Sequence, residues 1–121
     1  MGVSEIDLAY AAGILDGEGC ITISRKNKPQ AKFGADYVLF VEVGNTDKRL
    51  IEWLHSKFGG RTQHYEPRTP RAKESYHWYL GFGKAKELLL LLLPYLKLKD
   101  EEAKLAIALQ ETIGGFRWQV E

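Results

Sequence analysis

The sequence predicts an α+β domain: a four-stranded antiparallel sheet covered by helices on one face. Three observations lead there. Two pairs of short, alternating, β-branched or aromatic runs, Cys20–Arg25 with Asp36–Val43 and Arg61–Tyr65 with Ser75–Phe82, are each joined by a turn-rich connection, the mark of β-hairpins. Helix-period segments stand before, between and after them, giving the order α-β-β-α-β-β-α-α. The 121 residues suffice for one core but not two, so 1–121 is read as a single domain. An antiparallel sheet can leave one face open, with helices collected on the other.

Each element follows from local chemistry. Ser4 caps the first helix, with Glu5 and Asp7 in its first turn. That helix runs from about Glu5 to Asp16, where Gly17 and Gly19 stop it. Asn27, Pro29 and Gly34 mark the first hairpin connection. Thr46 or Asn45 caps the next helix, whose Leu50, Ile51, Leu54 and Phe58 form an apolar stripe ended by Gly59-Gly60. Pro67 and Pro70 lie in the second hairpin loop, 66–73. Lys84–Leu93 is an apolar helix halted by Pro94. Asp100 caps the last helix, 100–113, and Gly114-Gly115 follows.

Composition narrows the function classes. The longest apolar run, 88–93, is too short to span a membrane. One cysteine, Cys20, cannot form an intrachain disulfide, which makes an intracellular location the expectation, in the cytoplasm or an organelle. The net charge of +1 hides an uneven distribution. Residues 25–35 carry Arg25, Lys26, Lys28 and Lys32 without an acid, and 61–73 carry Arg61, Arg68, Arg71 and Lys73 with only Glu66. Such clustering suits a nucleic-acid face.

The stretch YAAGILDGEGCI (10–21) breaks a local rule. Asp16 and Glu18 sit at the C-terminal end of a helix, where the dipole disfavours carboxylates by about 0.3–1 kcal/mol each. Ala9, Gly13 and Gly17 recur at i, i+4 and i+8, with Ala12 beside them. That small-residue stripe lets the helix pack tightly, either on its own sheet or on a copy of itself in a second subunit. In a second copy, two Glu18 side chains would meet and repel unless a cation lay between them. Hard oxygen ligands suit Mg²⁺.

Ala11-Ala12-Gly13-Ile14-Leu15-Asp16-Gly17-Glu18-Gly19 resembles the signature of the LAGLIDADG homing endonucleases. The resemblance extends to the αββαββα order, to PYLKLK (94–99) and to Tyr76-x-Trp78, and it covers roughly residues 5–112. It implies an intron-encoded, homodimeric, Mg²⁺-dependent nuclease that binds double-stranded DNA at a long, nearly palindromic site and leaves short 3′ overhangs. Mn²⁺ would substitute for Mg²⁺, and Ca²⁺ would bind without cleavage. It further implies Glu18 and the Gly17 carbonyl as metal ligands and Asn45, Arg49 and Lys99 as catalytic partners, with Lys97 close to Lys99. Asn45 and Arg49, four apart, would share one face of a helix start. The motif's other acid, Asp16, would shape the helix end and lie with Ala9, Ala12, Gly13 and Gly17 at the dimer interface. A catalytically degenerate DNA-binding protein or an intron maturase of the same fold are the alternatives. The maturase reading finds no paired aromatic platform for RNA in the strands.

Strand alternation then divides the sheet. Tyr37, Leu39, Val41 and Val43 face the core with Ile21, Ile23, Tyr76, Trp78 and Leu80. Thr22, Ser24, Lys26, Asp36, Val38, Phe40, Glu42, Arg61, Gln63, Tyr65, His77 and Tyr79 are the outward, DNA-facing set, as suits a β-ribbon in the major groove. Lys28, Gln30, Lys32, Arg68 and Arg71 occupy the hairpin tips and would reach outer bases or phosphates.

Overall fold

The computed structural model describes residues 3–27 and 35–120, with side chains placed for 3–24 and 38–111. The first helix, α1 (Glu5–Glu18), opens on a reciprocal cap: Ser4 Oγ accepts from Asp7 N, and Asp7 Oδ2 accepts from Ser4 N. The strands β1 (Gly19–Asn27) and β2 (Ala35–Asn45) form the first hairpin. Helix α2 (Lys48–Phe58) leads to the second, β3 (Arg61–Tyr65) and β4 (Ser75–Gly81). Helix α3 (Phe82–Leu92), a 3₁₀ turn (Leu93–Tyr95) and α4 (Asp100–Val120) complete the chain. The sheet is antiparallel with order β1-β2-β4-β3, so the two hairpins join through their inner strands, β2 and β4.

Helices α1 to α4 all contribute to one core on one face of this sheet. Leu39, Val41, Val43, Trp78 and Leu80 meet Ala11, Ala12 and Leu15 of α1, Ile51 and Leu54 of α2, Leu88, Leu89 and Leu92 of α3, and Ala103, Ala106 and Ile107 of α4. Burying each large aliphatic side chain contributes roughly 1.5–3 kcal/mol. Trp78 fills the centre, and its Nε1 donates to the Gly59 carbonyl at 2.7 Å, fastening β4 to the end of α2. Gly60, at φ +92°, follows; a side chain there would collide with the Tyr79 carbonyl oxygen.

Several boundaries differ from the sequence reading. Helix α1 carries through Gly17 to Glu18 and is capped by the N–H of Gly19 on the Leu15 carbonyl. Strand β2 runs on to Asn45, because Gly44 and Asn45 pair with His77 and Tyr76 of β4. The cap of α2 therefore falls on Asp47, not Thr46 or Asn45, and Asp47 accepts from Arg49 N at 3.0 Å. Helix α4 continues through Gly114-Gly115; glycine costs a helix about 1 kcal/mol but does not forbid it. Lys99, not Asp100, occupies the capping position of α4, its carbonyl accepting from Ala103 N.

Candidate active site and nucleic-acid interface

The end of α1 gathers residues that are far apart in sequence. Glu18 Oε2 accepts from Asn45 Nδ2 at 2.7 Å, which orients an exposed carboxylate from the last residue of β2. The other end of the same amide, Asn45 Oδ1, accepts from Asp47 N at 2.7 Å. Asp47 in turn grips the Arg49 guanidinium through Nε and Nη2. These bonds to Arg49, side chain first and backbone second, hold the Asp47 carboxyl down at about 2. Asn45 and Arg49 thus belong to one linked chain of groups, but not through the helical i, i+4 face read from sequence, since Asn45 lies in the strand.

Asp16 answers for the second acid of the motif. Its carboxylate accepts backbone N–H groups from Lys97 at 2.7 Å, Leu98 at 3.2 Å and Lys99 at 2.9 Å. Among the described residues these donors have no other partner, and an acid beside a helix N-terminus also suits the dipole. Burial works to raise the Asp16 pKa, but the three N–H groups outweigh it and hold the carboxyl below its ordinary value. Lys99 completes the link in reverse, its Nζ donating to the Asp16 carbonyl oxygen at 2.8 Å. A lysine charge is thereby fixed two residues from Glu18, against the electronegative end of α1.

The register places Thr22, Ser24, Val38, Phe40, Glu42, Arg61, Gln63, Tyr65, His77 and Tyr79 on the sheet face opposite the core. That face is pre-ordered. His77 Nδ1 lies 3.0 Å from Glu42 Oε2, and the hydroxyls of Tyr65 and Tyr79 are 2.9 Å apart. Arg61 lies over the Tyr79 ring, 4.7 Å from its centroid. Burial, and then the Tyr65 hydroxyl, push the Tyr79 pKa up. Glu42 therefore has a partner within the chain, and the three rings beside it form a cluster, Tyr65 edge-on to His77 at 78° and His77 near-parallel to Tyr79 at 6.1 Å.

Comparison with known proteins now bears on this arrangement. No protein-family model matches the chain, and no curated protein matches it. Solved structures do. The homing endonuclease I-CvuI in complex with its target, in the presence of calcium, aligns with TM-score 0.74 and 19% identity over 93% of this chain and 70% of that one. The archaeal intron-encoded homing endonuclease I-Vdi141I, complexed with DNA, gives 0.73 and 15% over 88% and 68%. The I-LtrWI LAGLIDADG homing endonuclease bound to target DNA gives 0.66 and 24% over 93% and 39%. This chain has the LAGLIDADG homing endonuclease fold.

Within the LAGLIDADG fold, the small-residue stripe of α1 splits. Ala9, Gly13 and Gly17 are exposed, and a methyl group added at either glycine would meet nothing within 4 Å. Ala12 corrects the sequence reading: it is fully buried in this chain's own core and has no surface to give a second copy. Asp16 likewise commits its carboxylate within the chain. Val38 is a further correction. Only 9% of it is exposed, so it offers a base little contact. Arg68 and Arg71 lie in the exposed β3–β4 loop. Lys28, Gln30 and Lys32 lie outside the described residues, as do the side chains of Lys26 and Asp36. Asp47 was missed by the sequence reading; its signal was an acid just before Lys48-Arg49, the first turn of α2.

Proposed function

We propose that this chain is a site-specific DNA endonuclease that works as a homodimer with Mg²⁺. The observation that carries the reading is the pairing of Glu18 with Asn45, at the end of α1, in a LAGLIDADG fold. An exposed carboxylate at an electronegative helix end is unfavourable for an isolated chain and useful beside a cation. The donor set fits a hard divalent ion: one Glu18 oxygen takes the Asn45 bond and the other has no partner among the described residues. The Gly17 carbonyl is among the last helical carbonyls, which lack helical donors. Glu18 and Gly17 would hold the ion, together with Glu18 of a second copy.

A bound divalent ion would stabilise negative charge on the scissile phosphate and favour ionisation of the attacking water. The chain's own groups do the rest. Asn45 aims the Glu18 carboxylate. Lys99, held on the Asp16 carbonyl, supplies a fixed positive charge to offset that of the transition state. Arg49 spends Nε and Nη2 on Asp47, leaving Nη1 for a phosphate oxygen. The outward face of the sheet reads bases in the major groove. Each copy cuts one strand, leaving short 3′ overhangs.

The test is selection of cleaved molecules from a randomised palindromic DNA library, with Mg²⁺, Mn²⁺ or Ca²⁺. Cutting at one enriched site with Mg²⁺ or Mn²⁺, binding without cutting in Ca²⁺, and loss of cutting in Glu18→Ala with binding retained are the expected outcomes. Enrichment by binding alone in every metal would replace the reading with a DNA-binding protein, and retention of structured RNA in place of DNA would replace it with a maturase.

A further inference from the structure

At the root of the β3–β4 loop, far from Glu18 in sequence, the antiparallel register sets up a different cluster. Tyr65 pairs with Ser75 and His64 with Tyr76. One step further, Glu66 and Glu74 stand opposite each other where the strands part. By alternation His64, Glu66, Glu74 and Tyr76 share one side of the hairpin. Like charges directly opposed across strands are destabilising unless something positive lies between them. His64 is the neighbour of both: its Nε2 lies 3.0 Å from Glu74 Oε2 and its Nδ1 3.8 Å from Glu66 Oε1.

We propose that His64, Glu66 and Glu74 bind a divalent transition-metal ion of the zinc type. One ligand atom from each residue, one nitrogen and two oxygens, lies within 4.8 Å of the others. A tetrahedral zinc holds its ligands roughly 3.4 Å apart, from metal–ligand distances near 2.1 Å. All three side chains are exposed, so the two glutamates have room to rotate toward one nitrogen of His64. An imidazole with two carboxylates suits zinc, cobalt or nickel better than Mg²⁺, which prefers oxygen alone. The surroundings orient the ligands. The His64 ring stacks on Tyr76 at 4.9 Å with its plane tilted by 16°, and the Tyr76 hydroxyl donates to Glu74 Oε2 at 3.0 Å. That bond occupies one Glu74 oxygen and leaves the other for the ion. The three residues supply three positions, and water fills the fourth. The ion would clip the two ends of the loop bearing Arg68, Arg71 and Lys73, fixing where those cations project. The site is independent of Glu18 and of the proposed nuclease activity.

Calorimetric titration of the full chain with zinc chloride tests this directly. One equivalent should bind to the wild type. His64→Gln and Glu74→Gln should each weaken binding by about 10- to 100-fold or more, while Glu101→Gln, at an exposed acid on α4 away from both sites, should bind like the wild type. Circular dichroism confirms that the exposed-site variants remain folded. No binding up to about 1 mM, or binding that survives His64→Gln unchanged, overturns the proposal and leaves His64 as a hydrogen-bonding bridge alone. Loss of binding in Glu18→Gln with no effect of His64→Gln overturns it as well, placing the ion at the other carboxylate.

Discussion

Asn45 Nδ2 lies 2.7 Å from Glu18 Oε2, tying the end of the second strand to the end of the first helix across 27 residues of chain. The same side chain accepts from Asp47 N, so it joins Glu18 to the start of α2. Asn45→Ala removes both bonds. Unfolding by urea should show a loss of about 1–2 kcal/mol. Cleavage should fall by roughly 10- to 100-fold, because the carboxylate is no longer aimed. DNA affinity measured in Ca²⁺ should hold; an equal loss of affinity and cutting would mean that Asn45 serves binding, not the orientation of Glu18.

Asp16→Asn keeps the size of the side chain and removes its charge. Only one oxygen remains to accept N–H groups from the turn entering α4. We expect a stability loss of about 1–3 kcal/mol, in the range of a charged cap with several partners. Thermal unfolding monitored by circular dichroism measures it. An unchanged midpoint would mean that water replaces the carboxylate at no cost.

Acid should undo the same bonds. Asp16 and Asp47 both have folded pKa values below the ordinary 3.8, and that of Asp47 is near 2. A depressed folded pKa contributes stability that is fully present above the unfolded value and is lost as pH falls through the folded one. Urea midpoints should therefore decline between pH 4 and pH 2 for the part set by these two groups. The decline should be shallower in an Asp16→Asn, Asp47→Asn double variant. Parallel curves for wild type and variant would assign the acid sensitivity to other carboxylates.

Gly13 lies exposed on α1 with open space around it. Gly13→Leu should not harm the single chain and should favour the helix by roughly 0.8–1 kcal/mol. If Ala9, Gly13 and Gly17 pack against a second copy, the larger side chain will hold the copies apart. Analytical ultracentrifugation should then show a shift from dimer to monomer at unchanged secondary structure. A variant that remains dimeric would move the interface to another face of the molecule.

Much of the architecture was legible because alternation and helical period are local signals. The facing of Leu39, Val41, Val43, Trp78 and Leu80 follows from period two alone, and β3 was bounded correctly by its flanking glycines and proline. The failures share a cause, which is partners distant in sequence. Pairing with β4 lengthened β2 and moved the α2 cap to Asp47. Helix α1 is small or apolar most of the way round, so nothing local distinguished Ala12, which meets the sheet, from Gly13, which does not. Asp16 was read as shaping the helix end, but the groups it binds were not legible, because they lie 81 to 83 residues downstream. The motif marked the importance of the α1 end, whereas the bonds that organise it emerge only from the assembled fold.

The bridge from Asp16 to residues 97–99 also sets an order of events during synthesis. Ribosomes release chain from the N-terminus at roughly 5–20 residues per second, and contacts of long sequence separation form late. Glu18 and Asn45 can meet early, but the lysine that completes their surroundings, Lys99, lies 54 residues beyond Asn45. A nascent chain exposing the whole first hairpin still lacks the charge beside Glu18 and the anchor that seats α4. Until Lys99 has emerged, the nascent chain therefore lacks the fixed charge that the proposed nuclease activity draws on.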